Sequence, residues 1–209
     1  MPKSVTEILF DDADFTVLDP FAVFEDWFAE ARQSEPNDPH AMALASVDSD
    51  GMPDVRVVLL NARDARGFTF FTNLESAKGH ELLEQPKAAM VMHWKSLRRQ
   101  VRMRGPVEVV TPAEADAYFG SRARGSQIAS SVSRQSRPLD SRAKLAAEVA
   151  RLTQQVGDGD VVRPDRWSGF RLMPLSIEFW KDGEFRLHDR VQFTRTALDA
   201  PWTSRRLYP

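Results

Sequence analysis

Apolar positions recur first with a helical period and then, from His40 onward, with a period of two. Phe21, Phe24, Trp27, Phe28 and Ala31 share one helix face. Asp19 offers an N-cap carboxylate and Pro20 a first-turn proline, so a helix is predicted over 20–33. Residues 1–18 show no sustained period and are expected to form a mobile arm. Segments 41–48, 55–60 and 68–72 read as short strands divided by the turn sequences Asp48-Ser49-Asp50-Gly51 and Arg63-Asp64-Ala65-Arg66-Gly67. Ser76 caps a short helix through Leu83, stopped by Pro86, and 87–94 and 98–110 give a further strand pair. Thr111, Pro112 and Glu114 form a capping box with proline in the first turn, predicting a helix to about Phe119. Leu145, Val149 and Leu152 mark a helix over 140–155, and 169–180 with 184–195 read as a late hairpin around Lys181-Asp182-Gly183. The pattern predicts one domain over 19–209: mainly β, an antiparallel barrel with peripheral helices.

Composition narrows the chemistry. The 209 residues are 42% hydrophobic and 28% charged with a formal net charge of −2, ordinary for a globular chain and no general attractor of polyanions. Cysteine is absent, which removes disulfides, thiolate nucleophiles and thiolate metal sites. The acidic N-terminus does not resemble a signal or transit peptide, and no run of about 18 apolar residues exists, so a cytoplasmic location is expected. No glycine-rich dinucleotide or phosphate loop and no Gly-x-Ser-x-Gly elbow occurs. His40, His80, His93 and His188 lie far apart in sequence, and no metal site is expected.

What stands out is arginine beside small polar groups. In the 98–104 strand, alternation puts Arg98, Gln100, Arg102 and Arg104 on one face, with Arg99, Val101 and Met103 opposite. That face is either a charged, protected sheet edge or a surface for anions. Residues 121–136 hold three arginines, six serines and two glutamines, a donor set suited to phosphate oxygens if it is more than a polar loop. A nucleic-acid patch is disfavoured by the near-neutral charge and by the lack of interleaved aromatics. In 186–190, alternation places Arg186, His188 and Arg190 together with Asp189 opposite, again suiting an anionic ligand.

Several segments carry a resemblance: Arg-Val-Val-Leu-Leu (56–60), Phe-Phe-Thr-Asn-Leu-Glu-Ser-Ala-Lys (70–78) and Trp-Lys-Ser-Leu-Arg-Arg-Gln-Val (94–101). Others are Tyr-Phe-Gly-Ser-Arg-Ala-Arg-Gly-Ser-Gln-Ile (118–128), Ser-Arg-Gln-Ser-Arg (133–137) and Trp-Ser-Gly-Phe-Arg (167–171). Ile-Glu-Phe-Trp (177–180), Arg-Leu-His-Asp-Arg (186–190) and Arg-Leu-Tyr-Pro (206–209) complete the series. In this order they resemble the pyridoxine 5'-phosphate oxidase family. The resemblance implies an FMN-binding split β-barrel, homodimeric, with FMN sites built from both subunits. It implies that Arg56 and Lys78 hold the FMN phosphate, with Gln135 and Ser136 coming from the partner chain. Val57, Val58, Leu59, Leu60, Phe71, Thr72, Gln100, Trp180 and Arg190 would line the flavin. Tyr118, Arg122 and Ser126 would hold the substrate phosphate, with Asn61 and Leu187 also in the substrate site. Arg186 and His188 would lie over the pyridine ring as the catalytic pair. The implied reaction oxidises C4' of pyridoxamine or pyridoxine 5'-phosphate to give pyridoxal 5'-phosphate, with dioxygen as acceptor and hydrogen peroxide as product.

Two positions depart from the family pattern. Asn61 stands where a lysine usually contacts the substrate phosphate, and Ala77 where an arginine often precedes the lysine. A lost charge-assisted contact costs about 1–3 kcal/mol of binding. These departures keep open a divergent split-barrel flavoprotein acting on another small molecule, or a non-catalytic FMN or pyridoxal phosphate carrier.

Overall fold

The computed structural model describes residues 4–11 and 15–209. Its strands are β1 (Ala41–Val47), β2 (Pro53–Leu59), β3 (Ala62–Asp64), β4 (Gly67–Asn73), β5 (Lys87–Trp94), β6 (Arg99–Val109), β7 (Trp167–Leu172), β8 (Ser176–Lys181), β9 (Asp189–Thr194) and β10 (Thr203–Arg206). The helices are α1 (Val5–Phe10), α2 (Pro20–Ser34), α3 (Ala77–Glu84), α4 (Pro112–Ser121), α5 (Arg124–Val132) and α6 (Arg142–Val156). Every strand pairing among the described residues is antiparallel. The path β10-β9-β8-β6-β5-β1-β2 forms the main sheet, and β3-β4-β7 joins it through β6. The result is an antiparallel barrel with peripheral helices, as the sequence pattern predicts, and split, as the resemblance implies.

β6 serves both halves. Arg99–Arg104 run between β5 and β8, whereas Val107–Val109 pair with β7. The strand bends between these stretches, at Gly105-Pro106, where a Cβ on Gly105 would stand 2.1 Å from the Met173 carbonyl oxygen. Glycine is therefore required by a close backbone approach. Met173 N donates to Pro106 O at 2.9 Å and Leu175 N to Arg104 O at 3.0 Å, closing the corner.

The concave face of the main sheet is apolar by strict alternation: Met42 and Leu44 on β1, Met90 and Met92 on β5, Val101 and Met103 on β6, Ile177 and Phe179 on β8. α2 seals it. Asp19 accepts from Phe21 N and Ala22 N at 3.3 Å, and the face Val23, Phe24, Trp27, Phe28 and Ala31 is buried. Trp27 meets Phe179 edge-on at 5.2 Å, and Phe24 meets Phe68 edge-on at 4.8 Å. Burying each such ring contributes about 1.5–3 kcal/mol.

Some sequence expectations need correction. Within the supposed arm, residues 5–10 form α1, whose Thr6 Oγ1 accepts from Trp27 Nε1 at 3.0 Å and whose Leu9 is fully buried; residues 1–3 and 12–14 lie outside the described ones. Its weak period reflects a helix of only 6 residues, too short to show amphipathicity. Segment 169–180 is two strands, parted at Met173-Pro174 where the chain turns the β6 corner. The serine-rich stretch contains α5, which buries Ile128. Arg98 precedes β6 with φ 53, so alternation starts at Arg99, whose guanidinium lies 4.8 Å from the Trp27 ring centroid. The short strands β3 and β10 carry too few residues for a readable period.

α4 begins with the predicted capping box. Glu114 accepts from Thr111 N at 2.9 Å, Arg171 Nη2 at 2.5 Å and Arg66 Nη2 at 2.9 Å. The Thr111 N–H, then the two guanidiniums, hold its carboxyl at about 2, well below 4.5. A depressed carboxylate stabilises the fold above its unfolded value and loses that contribution on protonation. Wild-type stability should therefore fall as pH drops from about 4.5 towards 2. Glu114→Gln should make the urea midpoint less sensitive to pH over that window; parallel curves for the two proteins would refute this role. Gly105→Ala should cost about 1–3 kcal/mol by overpacking against fixed backbone. A melting temperature equal to wild type would show that the corner yields.

Candidate active site

Three elements bring cations to one cleft. β2 supplies Arg56, the first turn of α3 supplies Lys78, and the C-cap of α4 supplies Arg122. The cleft encloses about 720 Å³ and is walled by Phe71, Tyr118 and Trp167. These rings are nearly parallel: Tyr118 stacks on Phe71 at 4.1 Å and 8°, and Phe71 faces Trp167 at 5.4 Å and 4°.

Arg56 is fixed from behind. Its Nη2 donates to Asp54 Oδ2 at 2.5 Å and Glu81 Oε2 at 2.9 Å, and its Nη1 donates to Ser46 Oγ. Ser46, itself buried, donates to the same Glu81 carboxylate. The guanidinium in turn holds Asp54 below the usual carboxylate range.

Lys78 is treated differently. It is buried, and its Nζ sits 3.3 Å from Gln135 Oε1 and 3.5 Å from Thr72 Oγ1 and Ser76 Oγ, all neutral acceptors. Burial, then repulsion from Arg56, lowers its pKa against the opposing pull of Glu81 and Asp54. A buried ammonium with neutral oxygens around it is incompletely compensated.

Arg122 forms the second anion-directed group. It donates to Ser130 Oγ at 2.7 Å, lies 4.9 Å over the Trp167 ring, and has its pKa lowered chiefly by burial. Beside it, Asn61 uses both ends of its amide: Nδ2 donates to the Tyr118 hydroxyl at 2.6 Å, and Oδ1 accepts from Phe71 N at 3.1 Å. Tyr118 thus receives a hydrogen bond from Asn61 and keeps its own proton to donate.

Of the residues singled out from sequence, the cleft gathers Arg56, Val57, Val58, Leu59, Asn61, Phe71, Thr72, Lys78, Tyr118, Arg122, Ser126 and Gln135. Leu60 is not among them: it is 5% exposed and belongs to the core, because alternation turns it inward after Leu59. Gln135 and Ser136, expected from a partner, contact their own chain. Ser136 Oγ accepts from Ala77 N at 3.2 Å, and the short connection from α5 is held against β4 by Asn73 Nδ2 donating to Ser133 O at 3.3 Å.

The remaining residues lie elsewhere. Gln100, Trp180 and Arg190 form a registered row across β6, β8 and β9, beside a smaller cleft of about 220 Å³. Arg190 Nε donates to the buried Glu178 at 2.9 Å. Arg186, Leu187 and His188 do not share a strand face with Arg190, since β9 starts only at Asp189. They sit on a loop in which Phe185, Arg186 and Leu187 are exposed and Phe185 and Arg186 are left-handed, with φ of 53 and 67. Sequence reasoning missed Ser46, Asp54 and Glu81, which grip Arg56. Only the Lys78/Glu81 spacing of one helix turn could have signalled any of them. Trp167 was inside a quoted segment and Ser130 inside the serine-rich stretch 121–136, but which way they face depends on the fold. Among the described residues, no group of acidic and histidine side chains could hold a metal ion, and no helix is long and apolar enough to cross a membrane.

Comparison with known proteins agrees with this geometry. Residues 28–156 match the sequence profile described as "Pyridoxamine 5'-phosphate oxidase". Residues 167–209 match "Pyridoxine 5'-phosphate oxidase C-terminal dimerisation region". A protein of Rhizobium johnstonii named pyridoxine/pyridoxamine 5'-phosphate oxidase is 60% identical over 94% of this chain and 96% of its own length. One of the same name from Nitrobacter winogradskyi is 59% identical over 94% of this chain and 92% of its own. Among solved structures, PhzG from Burkholderia lata, in complex with tetrahydrophenazine-1-carboxylic acid, superposes with a TM-score of 0.87 at 31% identity, covering 96% of both chains. A pyridoxamine 5'-phosphate oxidase-related, FMN-binding protein from Nostoc punctiforme shares the fold at TM-score 0.73 and 17% identity, over 92% of this chain and 99% of that one. On these matches, which span nearly the whole length, the chain belongs to the pyridoxamine 5'-phosphate oxidase family.

Proposed function

We propose that this chain oxidises pyridoxamine and pyridoxine 5'-phosphates to pyridoxal 5'-phosphate, using FMN and dioxygen, as a homodimer. The observation that carries the reading is one cleft with two anion-directed ends: Arg56 with Lys78, and Arg122 with Tyr118. A phosphorylated cofactor beside a phosphorylated substrate needs both.

The residues fit FMN. The buried ammonium of Lys78 hydrogen-bonds only to neutral oxygens, and a phosphate would complete its charge compensation. Arg56 is already immobilised by Glu81 and Ser46, so little side-chain freedom remains to be lost on binding. When bound, FMN supplies the acceptor for the substrate hydride and returns the electrons to dioxygen. Arg122, Tyr118 and Ser126 hold the substrate phosphate and orient C4'. Arg186 steadies charge, whereas His188 orients the substrate or manages its proton.

The dimer follows from incompleteness. The Gln100–Trp180–Arg190 row and the 186–188 loop line no part of the large cleft of their own chain. A second copy related by a twofold axis would bring them to it. Val55, Val57 and Leu59 on the β2 edge are 65%, 69% and 41% exposed, an apolar surface suited to such burial.

A second reading has one observation in its favour. Asn61 brings no charge to the substrate end, which leaves Arg122 as the cation there and suits an oxidase of another small anionic molecule. An anaerobic visible spectrum separates the two readings. Pyridoxamine 5'-phosphate should bleach the flavin band near roughly 450 nm, and air should restore it; a band that stays unchanged would move the assignment to another substrate. Asn61→Lys should lower the substrate KM about tenfold, in line with a gain of about 1–3 kcal/mol, with kcat little changed. An unaltered KM would show that the missing charge is immaterial.

A further inference from the structure

His188 has a partner that the Arg-Leu-His-Asp-Arg segment does not contain. Asp182, in the turn after β8, places Oδ1 3.0 Å from His188 Nδ1. Its other carboxylate oxygen is held by the Arg98 guanidinium, and its N–H donates to the Arg98 carbonyl at 3.0 Å. Both members of the pair are largely shielded, with side chains 16% and 18% exposed. The imidazole also leans on Trp180, 4.6 Å between ring centres. Asp182 is therefore held by main chain and by Arg98 before it meets the histidine.

We propose that Asp182 is a positioning residue for His188. It accepts from Nδ1–H, fixes the ring and its tautomer, and leaves Nε2 as the free proton acceptor. This rests on the reading that His188 acts on the substrate of the proposed function.

A second contact competes for the same nitrogen. Gly183 N–H donates to Nδ1 at 3.2 Å, a hydrogen bond the imidazole can accept only with Nδ1 bare. A bare Nδ1 would then set its lone pair against a carboxylate oxygen at 3.0 Å, which is repulsive. A hydrogen bond to an ionised acceptor is roughly twice as strong as a neutral one, so the proton belongs on Nδ1.

The backbone explains why such a tether is needed. The loop closes so tightly that a Cβ on Gly183 would stand 2.0 Å from Leu187 O. Leu187 N donates to Glu184 O at 2.9 Å, while Phe185 and Arg186 are left-handed and exposed. A strained, solvent-facing loop of non-glycine residues keeps one geometry only if its surroundings determine it. The Asp182–His188 contact ties its C-terminal end to β8.

The test uses the FMN-loaded enzyme labelled with nitrogen-15 on histidine. The four histidines are few enough for His188 to be assigned by comparison with His188→Gln. Wild-type His188 should show a protonated Nδ1 and a bare Nε2, and Asp182→Asn should shift the proton towards Nε2. The same substitution should slow anaerobic flavin reduction by pyridoxamine 5'-phosphate roughly tenfold or more, with KM within about twofold, and Asp182→Glu should recover part of the rate. A wild-type imidazole protonated on Nε2 overturns the proposal even if no variant folds. So does an Asp182→Asn enzyme with unchanged tautomer and rate. Failure of wild-type flavin to be reduced would instead sink the proposed substrate, and the tautomer measurement would still decide the role of Asp182.

Discussion

One strand carries two sheets, and the cleft exists because it does. β6 cannot pair with β5 and β8 along one stretch and with β7 along the next unless it bends at Gly105-Pro106. The bend is possible because Gly105 lets the Met173 carbonyl approach where any side chain would collide. It turns β7 and β4 out of the plane of the main sheet. The space between β4, β2 and the helices that follow β4 and β6 is the cleft.

Charge in that cleft is managed by position more than by number. Burial, then repulsion from the Arg56 guanidinium, lowers the pKa of Lys78. The compensating carboxylates of Asp54 and Glu81 both bond to Arg56, away from the Lys78 ammonium. One cation is thereby locked in place, while the other hydrogen-bonds only to neutral oxygens. At the far end Arg122 is stacked on Trp167 and also lacks a carboxylate among its described hydrogen bonds. The stacked rings of Phe71, Tyr118 and Trp167 line the same cleft.

Asn61 shows how a neutral side chain keeps a useful place in such a site. Both ends of its amide are used, bridging the Phe71 main chain and the Tyr118 hydroxyl. It supplies no charge, but it orients a donor. The long-range attraction of an ammonium for a phosphate is what such a substitution removes, and local hydrogen-bond order is what it retains.

Patterning along the chain determined the antiparallel strands, the α2 face and the capped starts of α2, α3 and α4, because each depends on side chains within a few residues of one another. The ordered segments from 56 to 209 determined the family and most of the cleft lining, from Arg56 to Gln135. Only the tertiary structure decided that Leu60 faces the core, that Gln135 and Ser136 contact their own chain, and that Glu81 and Ser46 hold Arg56. It alone separated Arg186 and His188 from the β9 face and set Asp182 against the imidazole. Each of these depends on strand register, on a loop with left-handed residues or on contact between distant segments. Local periodicity carries no record of them, since a period reports which face a residue takes and never what stands opposite it.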